Sequence, residues 1–276
     1  MSTAISWTTE TWNPVHGCSH VSAGCENCYA ERISRRYGHT DKPWTYPNAE
    51  ENVSIKPHKL KEPERWKDSR RIFVNSMSDL FHEQVPDTFI REVFEKMASL
   101  PRHTFQVLTK RPERMMEWDG PWAKNIWMGV SVEEPRWTSR IDKLRKCGAK
   151  TKFVSFEPLL EHIEDPNLRG VDWAIVGGES DSEYRDMPHR WARSIRDACL
   201  EQGTAFFFKQ SAGHRTELDV ALEHEDGTYW IWQQFPNHRR EPIQVPHQIN
   251  GNDLDQYLDP PEEEPEPKVH QLSIID

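Results

Sequence analysis

What this 276-residue chain lacks narrows its class before any motif is read. No stretch of about 18 apolar residues occurs, so no transmembrane helix is expected. The opening, MSTAISWTTETWNP, has neither a basic start nor an apolar core and does not read as a secretory leader. A cytoplasmic protein with no membrane partner is expected. Cysteines number only five, an odd count, and three fall in one short loop. That pattern suits a reducing compartment and a metal or cluster site better than a disulfide framework. Positive charge is scarce at the C-terminal end, where residues 251–276 hold one lysine against eight acidic residues. This local −7 accounts for most of the formal −10 and leaves about −3 for the rest. Acidity of the whole chain therefore does not exclude an anionic partner, because binding follows the local field. Residues 56–71 carry seven Lys/Arg against three Asp/Glu.

Apolar residues make up 36% and charged residues 29%, as in a folded but polar protein long enough for one large barrel or two ordinary domains. Strand-like runs occur at 71–76 (RIFVNS), 104–109 (TFQVLT), 125–131 (NIWMGVS), 151–156 (TKFVSF), 172–178 (DWAIVGG) and 204–209 (TAFFFK). A shorter run, ISW at 5–7, is the candidate first strand. Between them lie amphipathic helical patterns. One starts at Asp87, read as an N-cap, with apolar positions 90, 93, 94 and 97. A second carries Trp137, Ile141 and Leu144 and stops at Gly148. A third carries Trp191, Ile195 and Cys199 and stops at Gly203. Repeated strand–helix alternation with doubly buried strands predicts a parallel α/β fold. Nearly every strand ends in polar or glycine residues, which favours a β/α barrel, complete or partial, over a doubly wound sheet with one switch point. The pattern fades after about residue 215. YWIWQQFP at 229–236 reads as an appended strand, and 251–276 as an acidic, Pro-rich tail able to dock a protein partner.

The chemistry concentrates in GCSHVSAGCENCYAERI, where Cys18, Cys25 and Cys28 have the spacing C-x6-C-x2-C. A structural zinc takes four protein ligands and a catalytic zinc three plus water. His16 and His20 are near enough in sequence to complete a zinc site, but that reading leaves the polar strand ends without a role. A [4Fe–4S] cluster normally takes four thiolates, so three leave one iron open to a small ligand. Cys147 and Cys199 read as buried thiols packing as small hydrophobes.

Three cysteines in a loop after the first strand of a β/α barrel resemble the radical S-adenosylmethionine (SAM) superfamily, although the usual first gap there is three residues. The series TWNPVHGCSHVSAGCENCYAERI, FVNSMSDLFHEQVP, VLTKRPERM, WMGVSVE, FVSFEPLL, DWAIVGGES and FFFKQ closely resembles the phage Gp37/Gp68 (DUF5131) family over about residues 5–213. That family looks like a radical-SAM branch with some likeness to spore photoproduct lyase. ESDSEYRDM at 179–187 departs from the family's usual ESGPGARPM. The resemblance implies a partial (β/α)6-type parallel barrel of the radical-SAM kind over 1–215 with an N-terminal Fe–S loop. A C-terminal extension (216–250) would cover the barrel, ahead of the tail.

It also implies the cofactors, a [4Fe–4S] cluster on Cys18, Cys25 and Cys28 and a SAM whose amino and carboxylate groups chelate the open iron. An electron donor must then reduce the cluster. Ser76, Ser78 and Asp79 are the implied acceptors for the SAM ammonium; Ser131 and Glu133, the latter favoured, face the ribose diol. Lys110 and Lys209 would neutralise the SAM carboxylate or a substrate anion. Tyr29 would pack on the cluster or adenine, Gly177 and Gly178 would let backbone approach the adenine, and Glu157 and Glu179 close further strands. The basic segments 56–71 and 110–114 point to nucleic acid, so a radical-SAM enzyme acting on DNA, RNA or a nucleotide is expected. The alternative is a zinc-stabilised nucleic-acid-binding module without redox chemistry.

Overall fold

The computed structural model describes residue 3 and residues 5–258. Its main sheet has seven strands in strict chain order. They are β1 (Glu10–Trp12), β2 (Arg71–Val74), β3 (Thr104–Thr109), β4 (Ile126–Ser131), β5 (Thr151–Phe156), β6 (Trp173–Gly177) and β7 (Ala205–Gln210). Every neighbouring pair is parallel. Sequential order without a reversal is the arrangement of a β/α barrel, and β1 does not pair with β7, so the barrel is open. The α/β partial barrel with a C-terminal extension expected from the sequence is thus present. Each of the six main strand windows holds a strand.

Besides a single turn at Ala49–Asn52, the helices that join these strands among the described residues are α1 (Tyr29–Arg36), α2 (Asp87–Ala98), α3 (Pro112–Met116), α4 (Ser139–Lys146) and α5 (His189–Gln202). The expected apolar faces are buried: Ile90, Val93, Phe94 and Met97 on α2, Ile141 and Leu144 on α4, Ile195 and Cys199 on α5. Gly203 closes α5 at φ 72°, in the left-handed region that favours glycine. Two boundaries differ from the sequence reading. Asp87 is the first helical residue rather than the cap, since Pro86 holds the cap position and the Asp87 carboxylate pairs with Arg114. Trp137 belongs to a separate 3-10 turn, Pro135–Trp137, ahead of α4.

Alternate strand residues face opposite ways. One set packs under the helices, and the other (Phe73, Trp127, Phe153, Trp173, Ile175, Phe207) fills the bottom of the barrel. Ile5–Trp7 is not a strand. Trp7 instead enters that plug, 2% exposed and 4.7 Å centroid to centroid from Phe73. β1 lies slightly later, at the charged triplet Glu10–Trp12, where buried Glu10 pairs with Arg70.

Past β7, Leu222–Glu223, Tyr229–Ile231 and Ile243–Val245 form a three-stranded antiparallel sheet. Between the second and third of these the chain runs along the free edge of β7, with Phe208 N–H donating to Trp232 O at 2.8 Å and Gln234 N–H to Phe206 O at 3.1 Å. This covers an edge that would otherwise present unpaired backbone groups. Phe235 follows and closes the plug over Trp173. The acidic run of the tail lies mostly outside the described residues.

Candidate active site

All seven strands point the same way, so their C-terminal ends form one rim. The loop after β1 is tied to the loop after β2. Asn13 Oδ1 accepts the Met77 amide at 3.0 Å, and Asn75 Oδ1 accepts the Val15 amide at 3.2 Å. Asn75 sits at φ 62°, which asparagine tolerates better than branched residues. Gly17 is forced more strongly: at φ 83°, a Cβ there would stand 1.9 Å from the Asn52 carbonyl oxygen. Its amide donates to Met77 O at 3.1 Å, and Cys18 follows at the rim.

Cys18, Cys25 and Cys28 are free thiols, and all three line one cavity of about 260 Å³. Two cations attend them. Arg111 Nη1 lies 3.5 Å from Cys18 Sγ, and Lys110 Nζ lies 3.8 Å from Cys25 Sγ. Burial pushes the Cys18 thiol up to about 12 despite Arg111, and raises Cys28 as well. At Cys25 burial also acts upward, but Lys110 and the Val21 and Ser22 amides outweigh it, and the thiol falls below its ordinary value.

Behind the thiols lies an ion cluster that holds the loop. Glu133 is fully buried. It accepts Ser22 Oγ and Arg140 Nη1, each at 2.8 Å, and pairs with Lys110. Burial would raise its pKa, yet Lys110 and Arg140 hold it below the usual carboxylate value. A Cβ at Gly24 would meet the Glu133 side chain at 2.6 Å, so the cysteine turn rests directly on this carboxylate. Asp79 plays a similar part. Its oxygens accept Thr109 Oγ1 at 2.7 Å, the Phe81 and Lys110 amides at 3.0 Å, and Arg111 at 3.3 Å. Ser19 accepts Arg111 Nη2 and contacts His82 Nε2 at 2.9 Å. His82 Nδ1 accepts the Gln84 amide, which places the ring proton on Nε2.

Across the cavity, Lys209 Nζ is 2.9 Å from Glu157 Oε1, and Ser155 Oγ donates to Glu157 Oε2 at 3.0 Å. The loop after β6 then folds over the cysteine turn. Glu179 binds the Arg185 amide at 2.8 Å and its guanidinium, and Asn27 Nδ2 at 3.2 Å. Arg185 continues to Glu26 at 3.0 Å and Ala23 O at 2.9 Å. Tyr29 borders the cavity and donates its hydroxyl to Ser76 O at 2.6 Å.

Most sequence-selected residues therefore converge: the three cysteines, Lys110, Tyr29, Ser76, Ser78, Asp79, Ser131, Glu157, Gly178, Glu179 and Lys209 all border this cavity. Two do not. Glu133 lies beneath the cysteine turn instead of facing the cavity, and Gly177 is backed by Glu157, whose Oε1 would meet a Cβ at 2.6 Å. Gly178 borders it, but its missing side chain is required by the Ala212 backbone, 2.3 Å away. Arg111 and Arg114 are tied to carboxylates and carbonyls of the chain itself, so of the basic segments only 56–71 leaves cations exposed, at Lys61, Arg65 and Lys67. Cys147 and Cys199 are buried and do not border the cavity. His16 borders a different cavity, and His20 Nε2 is bound to Glu31 at 2.7 Å. Among the described residues no three His, Cys, Asp or Glu side chains converge on a point that would hold a single metal ion. Sequence reasoning missed Ser22, Arg140 and Arg185. Arg185 and Glu179 do have a signal: they are retained where ESDSEYRDM departs from the family string.

The family model for the DUF5131 proteins, a family of unknown function, matches residues 2–257. The chain belongs to that family. Curated proteins give no sequence match. Among solved structures it is similar to a cysteine-to-serine variant of spore photoproduct lyase, at 14% identity and a TM-score of 0.42, covering 82% of this chain and 66% of that one. It is also similar to a doubly substituted variant of that enzyme with bound AdoMet and dinucleoside spore photoproduct, at 13% identity and a TM-score of 0.42, covering 85% and 67%. The chain thus spans about two-thirds of the length of these structures, and just under that for the first.

Proposed function

We propose that this DUF5131 chain is a radical-SAM enzyme that acts on a nucleic acid or a nucleotide-like molecule. The observation that carries the reading is three free thiols, without a fourth, opening on one cavity at the strand-end rim beside Lys110 and Arg111. The donor set suits a cluster better than zinc. A tetrahedral zinc needs its sulfurs within about 4 Å of one another, whereas a multi-iron cluster spaces its thiolates more widely. With both groups bound, the cluster would supply the one-electron cleavage of SAM that generates a radical for hydrogen abstraction.

The chain's own residues supply charge balance, orientation and exclusion of water. Cys18, Cys25 and Cys28 hold the cluster, and Arg111 and Lys110 favour their thiolate forms. Glu133, Asp79 and Arg140 keep those cations and the cysteine turn in place, so they position the site without touching SAM. Ser76 and Ser78, which border the cavity, would take the SAM ammonium. Ser131 takes the ribose side in place of Glu133. Lys209, held by Glu157, meets the SAM carboxylate or a substrate anion. The Glu179–Arg185 loop shields the turn from solvent. Lys61, Arg65 and Lys67 are exposed and offer phosphate contacts away from the cavity, as an extended polyanionic substrate would need.

Anaerobic reconstitution tests the reading. Brown protein with about four iron and four sulfide per chain is expected, lost on changing Cys18, Cys25 or Cys28 to Ala and kept in Cys147→Ala and Cys199→Ala. Adding SAM and a reductant should release 5′-deoxyadenosine. Colourless protein with stoichiometric zinc would refute it.

A further inference from the structure

A second cavity, about 390 Å³, lies beside the cysteine turn. Gly17, directly ahead of Cys18, borders it, and Trp44 borders both cavities. That volume is within the range of about 300–1,000 Å³ usual for small-ligand sites. Its ionisable lining is of one kind: Lys56, Lys59, His16, His39 and His58, with no carboxylate. Lys56 and Lys59 follow the strand Ser54–Ile55, which pairs with Val15–His16 and so brings the lysines against the cysteine loop. Neither lysine has an ion-pair or hydrogen-bond partner for its ammonium among the described residues, unlike Lys42, Lys96, Lys110, Lys143 and Lys209. The indole N–H of Trp44, 2% exposed, is also without an acceptor.

Like charges gathered in a concave, partly desolvated place repel one another, and a bound anion offsets that cost. A metal ion does not fit: two ammonium groups would repel it, and no three ligating side chains converge among the described residues. We infer that this cavity binds a phosphate group, with Lys56 and Lys59 supplying charge and His39, His58 and the Trp44 indole supplying donors. The site is independent of the redox reading, since it needs neither the thiols nor any metal.

Titration calorimetry on the full chain at low salt, with inorganic phosphate, AMP and a 5′-phosphorylated hexanucleotide as probes, tests this. All three should bind wild type. Lys56→Gln/Lys59→Gln should weaken each by about 10- to 100-fold, the usual effect of losing charge-assisted hydrogen bonds. Lys146→Gln/Lys150→Gln, an equal loss of charge at exposed positions outside both cavities, should leave phosphate affinity unchanged. His58→Asn, at an exposed position, gives a milder loss and serves if the double variant fails to fold by circular dichroism. Tighter binding of the oligonucleotide than of AMP assigns the phosphate to a nucleic-acid strand, and the reverse order to a free nucleotide; both support the site. No binding of phosphate by wild type, or equal losses in the two double variants, would overturn it.

Discussion

Glu133→Gln replaces a carboxylate by an amide of nearly the same shape inside an enclosed ion cluster. Wild-type Glu133 faces Lys110, whose side chain is 18% exposed, and Arg140, 3% exposed. After the change Arg140 remains buried and Lys110 half-buried, and one amide N–H₂ points at one of them. Removing one partner of a buried pair costs about 3–5 kcal/mol, because the other charge is left uncompensated. At about 2–4 °C per kcal/mol for a chain of this size, the melting midpoint should fall by about 6–20 °C. Glu51→Gln is the control. Its pair with Lys42 is exposed, 62% and 49%, so water screens the lost pair and the cost should be no more than about 1 kcal/mol. Calorimetry and urea unfolding of the apo-protein measure both. A Glu133→Gln protein as stable as wild type, yet with weakened SAM binding, would refute the bracing role and restore Glu133 to the ligand.

Three further outcomes are expected. In the apo-protein, iodoacetamide should modify Cys25 before Cys28 and Cys18, since Lys110 lowers the first thiol while burial raises the other two; peptide mapping after short exposures reads the order. His82 is lowered from 6.5 to about 4, first by burial and then by Arg111. The fold thus favours its neutral form, a contribution complete above pH 6.5 and lost as pH falls towards 4. About 2–3 kcal/mol should disappear by pH 4.5, and His82→Gln should show a correspondingly shallower decline in unfolding free energy. Arg185→Gln should speed proteolytic cleavage within 179–186 while costing little global stability, because the Arg185 side chain is 34% exposed.

The sheet was legible because its strands are nearly continuous apolar runs buried on both faces, and β3 and β5 begin and end where those runs do. β1 was hidden for the opposite reason. The three-residue strand Glu10–Trp12 carries a charge, while the more apolar Ile5–Trp7 beside it serves as packing for the barrel floor. At the site, residue type located the rim but did not give side-chain direction. Ser131 borders the cavity, whereas Glu133, two residues on, has already turned beneath the cysteine loop. Asp79 looked like an acceptor awaiting a ligand. Its acceptors are already engaged by Thr109, Phe81, Lys110 and Arg111, partners that only the fold brings together.

The aromatic floor has a kinetic corollary. Trp7 and Phe73 form the base of the thiol cavity, and Trp173 and Phe235 pack behind them. Under the proposed function, traffic through this floor is blocked and runs by the rim. A deep-seated small molecule has to load before a bulky one arrives above it, and the bulky one has to depart before the small one is exchanged. Under the proposed function, the plug would impose a compulsory order of turnover, whatever the bulky molecule is.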